Sequence, residues 1–416
     1  MKKIMSALYL KIKTIHIDDL VLIISGIFLA LLLRYLIRSY SSGDYEKYYK
    51  VWYETIKAHG FAAFNLLLSH GGGYDYSPMY LYLLYVVSIL FSKLVSISAV
   101  KLVSVIFDLM EAFFVYKIVR LKFYQGPIPF LAAFALLFAP TIILNSSVWG
   151  QTDSIYTAFL LASLYFILKK QNWWACLAYG LAFSMKFQAV FFAPFLMALF
   201  FKKEISWKQL LLIPAVYFVM CVPAWIAGRP IWNLLTIYIH QANETNNFEL
   251  SFPNIYFQLP DDLFHLFFPA TLVIAASMAF MYIGSIYKSH IKMTRSILVQ
   301  LALVSVVIMP YFLPKMHDRY LYSADAISIV FGFYFPEYFL IPVLINLFSF
   351  FVYESSLLGM NTISGEMLQI GLTLVVVYLG KIMVTTLFSS HGKISNSYDD
   401  LKPLDVPVDL KEDNLP

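Results

Sequence analysis

Long apolar runs separated by short charged turns dominate the chain. A helix of about 20 apolar residues crosses a bilayer, and runs of that size lie at 20–38, 98–118, 128–144, 153–169, 209–227, 268–287, 296–313 and 366–387. Two further apolar stretches, 173–201 and 320–352, are broken at Met185-Lys186-Phe187 and at Phe335-Pro336-Glu337. Each predicts a pair of shorter helices. The pattern therefore predicts an all-α polytopic membrane protein with about 12 transmembrane helices.

One apolar segment, 77–92, is short for a span and is opened by Pro78, a first-turn residue. Its placement decides the topology. If it lies at the interface, most of the 30 Lys and Arg residues fall on one side, with both termini. If it spans, the basic loops downstream turn outward. The excess of Lys and Arg on cytoplasmic loops favours the interfacial placement. Residues 1–387 then form one membrane domain with a long outer loop at about 39–97, carrying surface helices, and a second at about 228–267. Arg34, Arg38, Lys47, Lys50 and Lys57 stay outside in either arrangement. The tail 388–416 is polar and is expected to be a disordered cytoplasmic end.

Composition sharpens this picture. Hydrophobic residues make up 60% of the chain and charged residues 13%, which excludes an ordinary soluble domain. A net charge of +5 on such a chain reads as topology, and no nucleic-acid partner is expected. Cys176 and Cys221 lie in apolar runs and read as small buried hydrophobes. The basic start is followed by Asp18-Asp19 and a run of span length, so a cleavable signal peptide is not expected.

With these sides, four polar segments converge on the outer face: SSGDYEKYYKVWYE, NSSVWGQTDS at 145–154, SMKFQ at 184–188 and PKMHDRY at 314–320. Ionisable groups at membrane depth are costly unless they line a cavity. The set offers carboxylates at Asp44 and Asp153, cations at Lys186, Lys315 and Arg319, and an imidazole at His317. A carboxylate can take a proton from a hydroxyl. Cations and an imidazole can hold a phosphate as it leaves. Membrane lipids surround the site, and an apolar groove would suit a lipid tail.

The segments SGDYEKYYKVWYETIKAHGFAAF, YDYSPMYLYLLY, SVWGQTDSIYTAFLLASLYF, GLAFSMKFQAVFFAPFL and LPKMHDRYLYSADAIS resemble the GT-C glycosyltransferases, and within them bacterial relatives of the GPI mannosyltransferase II proteins. The resemblance implies the GT-C fold and an inverting transfer of a hexose. The sugar would pass from a polyprenyl-phosphate donor to a glycan or lipid acceptor at the outer face of the cell membrane. It implies Asp44 as the catalytic base and a second acidic motif at Asp153; Tyr45, Gln151 and Asp75 are further candidates for substrate contact, with Asp75 also suiting a plain turn residue. It matches Lys186, His317 and Arg319, which with the neighbouring cation Lys315 are candidates to hold the donor phosphate. The family's LxKPQ pattern stands here as SMKFQ, with Phe187 in place of proline, and its HERY pattern as HDRY, with the shorter Asp318. FPNIY at 252–256 loosely resembles a segment of the second large loop. Some branches of the superfamily use a divalent metal, Mg or Mn, which Asp44 and Asp153 would share; no cofactor is required by the sequence.

Plainer roles stand beside each of these. Asp44 and Asp153 suit helix caps, Lys186 suits a snorkelling lysine, and His317 with Arg319 and Tyr320 suits an interfacial anchor. Asp108 and Glu111, one turn apart, are expected to face the interior. Gly71 to Gly73 lack the flanking strand and helix of a phosphate loop. A polytopic transporter or lipid-linked glycan flippase, or a glycan polymerase or ligase, would also place charges in a cavity. No inverted repeat favours the transporter.

Overall fold

The computed structural model describes residues 17–69, 77–242 and 249–389. Its principal helices are α1 (Ile17–Ile37), α2 (Lys50–His59), α3 (Met79–Leu90), α4 (Ser96–Val119), α5 (Ile128–Leu137), α6 (Asp153–Leu168), α7 (Asn172–Met185), α8 (Ala193–Phe201), α9 (Leu212–Ile226), α10 (Phe264–Lys288), α11 (Arg295–Phe312), α12 (Tyr322–Tyr334), α13 (Leu340–Leu358) and α14 (Gly365–Phe388). Asp75, the three glycines at 71–73 and the tail from 390 lie outside the described residues.

The apolar runs all appear as helices, of different lengths. Among the described residues, six helical stretches are long and apolar enough to cross a membrane: α1, residues 207–226 around α9, α10, α11, α13 and α14. A seventh candidate is a bent pair, α5 with the helical segment Pro140–Trp149. The expected straight span 128–144 is thus replaced by two pieces at 49° that run on to Trp149. Pro140 has no N–H to continue the ladder and its ring crowds the preceding turn, so the chain restarts there. The remaining long helices are short or charged. At 1.5 Å per residue, α6, with 16 residues, and α12, with 13, reach about 24 Å and about 20 Å. The 24-residue α4 carries Lys101, Asp108, Glu111 and Lys117.

The core is built around α11. Its most apolar window is 83% buried, against 11% for α1, so α11 is the central post and α1 lies at the rim. α12 packs on α11 and α13, and α6 packs on α4 and α7. α3 has only 12 residues, too few to cross alone. It lies on α2 and near α4 through an aromatic cluster in which Tyr80 meets Tyr49 at 5.7 Å and Trp52 at 6.3 Å.

Arg34, counted by its position among the outside bases, is 3% exposed and pairs with the fully buried Asp108 at 2.8 Å. Ser146 donates to the same Asp108 oxygen at 2.7 Å. Asp108 and Glu111 are interior, as their spacing suggests, and Glu111 accepts from the Tyr322 hydroxyl at 3.2 Å.

Candidate functional site

A cavity of about 750 Å³ opens where the α1–α2 loop, the α5–α6 connection, the α7–α8 break and the α11–α12 turn meet. Asp44, Lys186, Lys315, His317 and Arg319 all line it. Phe187, Phe191, Phe268, Leu272 and Leu313 supply an apolar wall.

Asp44 sits just ahead of the helical stretch Tyr45–Tyr49 but makes no capping bond. Ser42 caps this stretch instead. Its Oγ accepts from the Tyr45 N–H at 3.1 Å and donates to the Trp149 carbonyl at 2.7 Å. The Asp44 side chain is thereby released to other partners. Its Oδ2 accepts from Trp149 Nε1 at 3.1 Å and from Gln151 Nε2. Both donors reach one oxygen because Gly150 lies between them with φ +80°, a left-handed conformation that only glycine adopts without strain. Gln151 does not line the cavity; it supports Asp44 from behind, and its Oε1 accepts from the Tyr49 hydroxyl at 2.7 Å. Tyr45 is buried in the core away from the cavity, and burial pushes its hydroxyl up to about 12.

Asp153 opens α6, fully buried, and caps nothing. Its Oδ1 meets Lys186 Nζ at 2.5 Å, and its Oδ2 accepts from Asn145 Nδ2 at 2.9 Å and faces Arg319 Nε at 3.8 Å. Lys186 reaches it because α7 stops at Met185 and the chain at Lys186 is extended, with φ −154° and ψ 140°. Lys186 is only 4% exposed, so it does not snorkel to the surface.

Arg319 also pairs with Asp318 at 3.2 Å and lies over the Trp149 ring at 5.6 Å. Burial raises the Asp318 carboxyl, with Arg319 and a hydrogen bond from Ser356 pulling the other way. Burial, then Arg319 and Lys186, push His317 down to about 3. His317 is therefore a neutral hydrogen-bonding group near neutral pH, and the positive charge at this turn comes from arginine and lysine. Lys315 holds a left-handed φ of +62°, donates to the Ala242 carbonyl at 2.7 Å and lies within about 5 Å of the Phe264 and Phe268 rings.

The second outer loop braces this turn. β1 (Glu249–Leu250) pairs in parallel with β2 (Met316–His317). Asn254 of FPNIY is fully buried and donates to the Leu313 carbonyl at 2.9 Å, while the Tyr256 hydroxyl donates to the Phe312 carbonyl at the same distance. The weak sequence signal at FPNIY thus belongs to a bracket under the charged turn.

Asp153 is already neutralised by Lys186 and faces Arg319, and among the described residues no three His, Cys, Asp or Glu side chains cluster as ligands. Asn145, Trp149, Tyr49, Tyr353 and Ser356 belong to the site's framework and do not stand out in the sequence as site residues. Asn145 and Trp149 lie inside NSSVWGQTDS, so polarity at a membrane end was a usable signal; Tyr353, in an apolar helix, gave none.

The helical membrane bundle with a charged cavity under long loops has a fold similar to that of a solved membrane protein, and part of the chain matches a family model. Residues 75–227 match the family model described as dolichyl-phosphate-mannose-protein mannosyltransferase. The chain resembles the crystal structure of ArnT from Cupriavidus metallidurans bound to undecaprenyl phosphate, with a TM-score of 0.54. The likeness covers 87% of this chain and 70% of that one at 12% identity, a similarity of fold. No curated protein sequence matches the chain. The matched family segment contains Gln151, Asp153 and Lys186 but neither Asp44 nor the 314–320 turn.

Proposed function

We propose that the protein is an inverting glycosyltransferase that moves a hexose from a polyprenyl-phosphate donor to a hydroxyl of a glycan or lipid acceptor. The observation that carries this reading is the cavity that brings together the Asp44 carboxylate, the Lys186 and Arg319 cations and an apolar wall. The family match and the undecaprenyl phosphate of the ArnT structure support a lipid-linked donor.

In this mechanism the donor phosphate lies against Lys186 and Arg319, with neutral His317 as a hydrogen-bond donor and the prenyl chain along the Phe268 and Leu272 wall. The acceptor oxygen attacks the anomeric carbon. Its proton passes to Asp44, and the bond from the anomeric carbon to the phosphate oxygen breaks with its electron pair going to the phosphate. Configuration inverts in this one displacement. Preorganised cations stabilise the charge that builds on the leaving phosphate. Lys186 already leans on Asp153, so the incoming phosphate shares that ammonium. The cavity faces the outer side of the membrane and both termini lie in the cytoplasm, by the charge bias of the loops.

The test is transfer from a panel of labelled polyprenyl-phosphate hexoses by the purified protein, wild type beside Asp44→Asn, with and without a chelator. A loss of about 100- to 10,000-fold in the variant, with undecaprenyl phosphate still bound, is expected of a general base. The chelator should change nothing. Equal turnover in both proteins would remove Asp44 from the chemistry, and transport of intact lipid-linked sugar without transfer would favour a flippase.

A further inference from the structure

Four hydrogen bonds tie the loop at 42–49 to the turn at 149–151, segments about a hundred residues apart: Ser42 to the Trp149 carbonyl, Trp149 and Gln151 to Asp44, and Tyr49 to Gln151. Three of them bear on one carboxylate. Both donors to Asp44 end on Oδ2, and Oδ1 accepts from no side chain or backbone group among the described residues. We infer that Trp149 and Gln151 are positioning residues that fix Asp44 through Oδ2, with Tyr49 fixing the Gln151 amide, so that Oδ1 is the atom left to receive the acceptor proton. This inference rests on the glycosyl-transfer reading.

The amide orientation is settled by chemistry. A carboxylate accepts hydrogen bonds only, so Gln151 must present its NH₂ to Asp44. That leaves Oε1 as an acceptor, and the Tyr49 hydroxyl is there to donate to it at 2.7 Å. Tyr49 is buried and packed edge-on against Trp52 and Tyr80, so its own position is fixed by α2 and α3. Trp149 has a second contact. Its Nε1 edge holds Asp44 while its ring carries Arg319, so the base and the phosphate-binding guanidinium are spaced by one rigid indole. A base held by two donors on one oxygen loses rotational freedom about its carboxyl group, and its other oxygen keeps one direction toward the acceptor.

The test is a double-mutant cycle of Tyr49→Phe and Gln151→Ala in the full-length protein, using the polyprenyl-phosphate hexose that wild type transfers. Gln151→Ala should lower kcat about 10- to 100-fold, the size of one hydrogen bond to a charged group. The donor KM and the affinity for undecaprenyl phosphate should stay within about twofold, as expected when a transition-state interaction alone is lost. Tyr49→Phe should lower kcat by less, and the double variant should be no slower than Gln151→Ala, because Tyr49 acts through Gln151. If Gln151→Ala does not fold, Tyr49→Phe, which removes one oxygen, decides by the same kcat and KM split. Unchanged kcat in both, or additive losses accompanied by weaker donor binding, would overturn the inference. Absence of transfer by wild type from every donor in the panel, or full turnover by Asp44→Asn, would instead overturn the glycosyl-transfer reading beneath it.

Discussion

Two buried ion pairs, Arg34–Asp108 and Lys186–Asp153, look alike in isolation. Each joins a nearly buried cation to a fully buried carboxylate, at 2.8 Å and 2.5 Å. Their surroundings differ. Arg34 and Asp108 join α1 to α4, with Ser146 behind them, and neither lines the cavity. Lys186 lines the cavity, and Asp153 behind it faces a second cation, Arg319. Burying a charge is costly, and pairing offsets that cost only with good geometry. The first pair does this by being closed. The second stays open on one side, where a phosphate can enter. A buried salt bridge is thus a mark of function only when one partner borders a space that a charged ligand can fill.

The largest expected effect separates the two. Removing one partner of a buried pair strands the other charge and costs about 3–5 kcal/mol. Both Arg34→Met and Lys186→Met should therefore lose stability, seen as a fall in thermal melting in detergent. Neutralising each pair as a whole should recover most of that loss. Arg34→Met with Asp108→Leu should then transfer sugar normally, whereas Lys186→Met with Asp153→Leu should be stable and still inactive. Equal activity in the two double variants would erase the distinction.

A smaller effect is expected at the second cation. Arg319→Ala should raise the donor KM and lower kcat, each by about 10-fold, on the scale of one charge-assisted contact. Unchanged donor kinetics would sink the phosphate clamp. His317 then separates charge from hydrogen bonding. Its folded form is neutral down to about pH 3, whereas in the unfolded chain an imidazole titrates near 6.5. The unfolded chain binds more protons between those values, so stability should fall as pH drops from about 6.5 toward 3 and stay level above that window. Melting curves of wild type and His317→Gln across that range should converge at low pH if the imidazole is the cause. Donor affinity should show no step near pH 6.5. The least effect is expected of Lys315→Ala, because its ammonium is engaged by the Ala242 carbonyl. Donor constants should move by about threefold or less, the scale of a weak, partly screened charge.

Much of the site was legible before the fold. Asp44, Lys186, His317 and Arg319 stood out because charges are rare in an apolar chain, and rarity near a span end marks cost without an obvious return. Their framework was not legible. Trp149 reads as an ordinary interfacial aromatic and Tyr353 as part of an apolar helix, and only the fold brings their polar edges to Asp44 and Asn145. The partner of Arg34 was not legible for the same reason: Asp108 lies on another helix, and no local pattern joins the two.

Hydrophobic period and run length by themselves determined a helical membrane protein, the position of nearly every helix and the breaks at Lys186 and Pro336, because these follow from local backbone chemistry. Tertiary structure alone decided which helices are long enough to cross, where the 128–149 segment bends, which carboxylate faces the cavity and which is sealed behind it. Those outcomes depend on contacts between residues far apart in the chain, and no local pattern records which distant side chain a buried charge will meet.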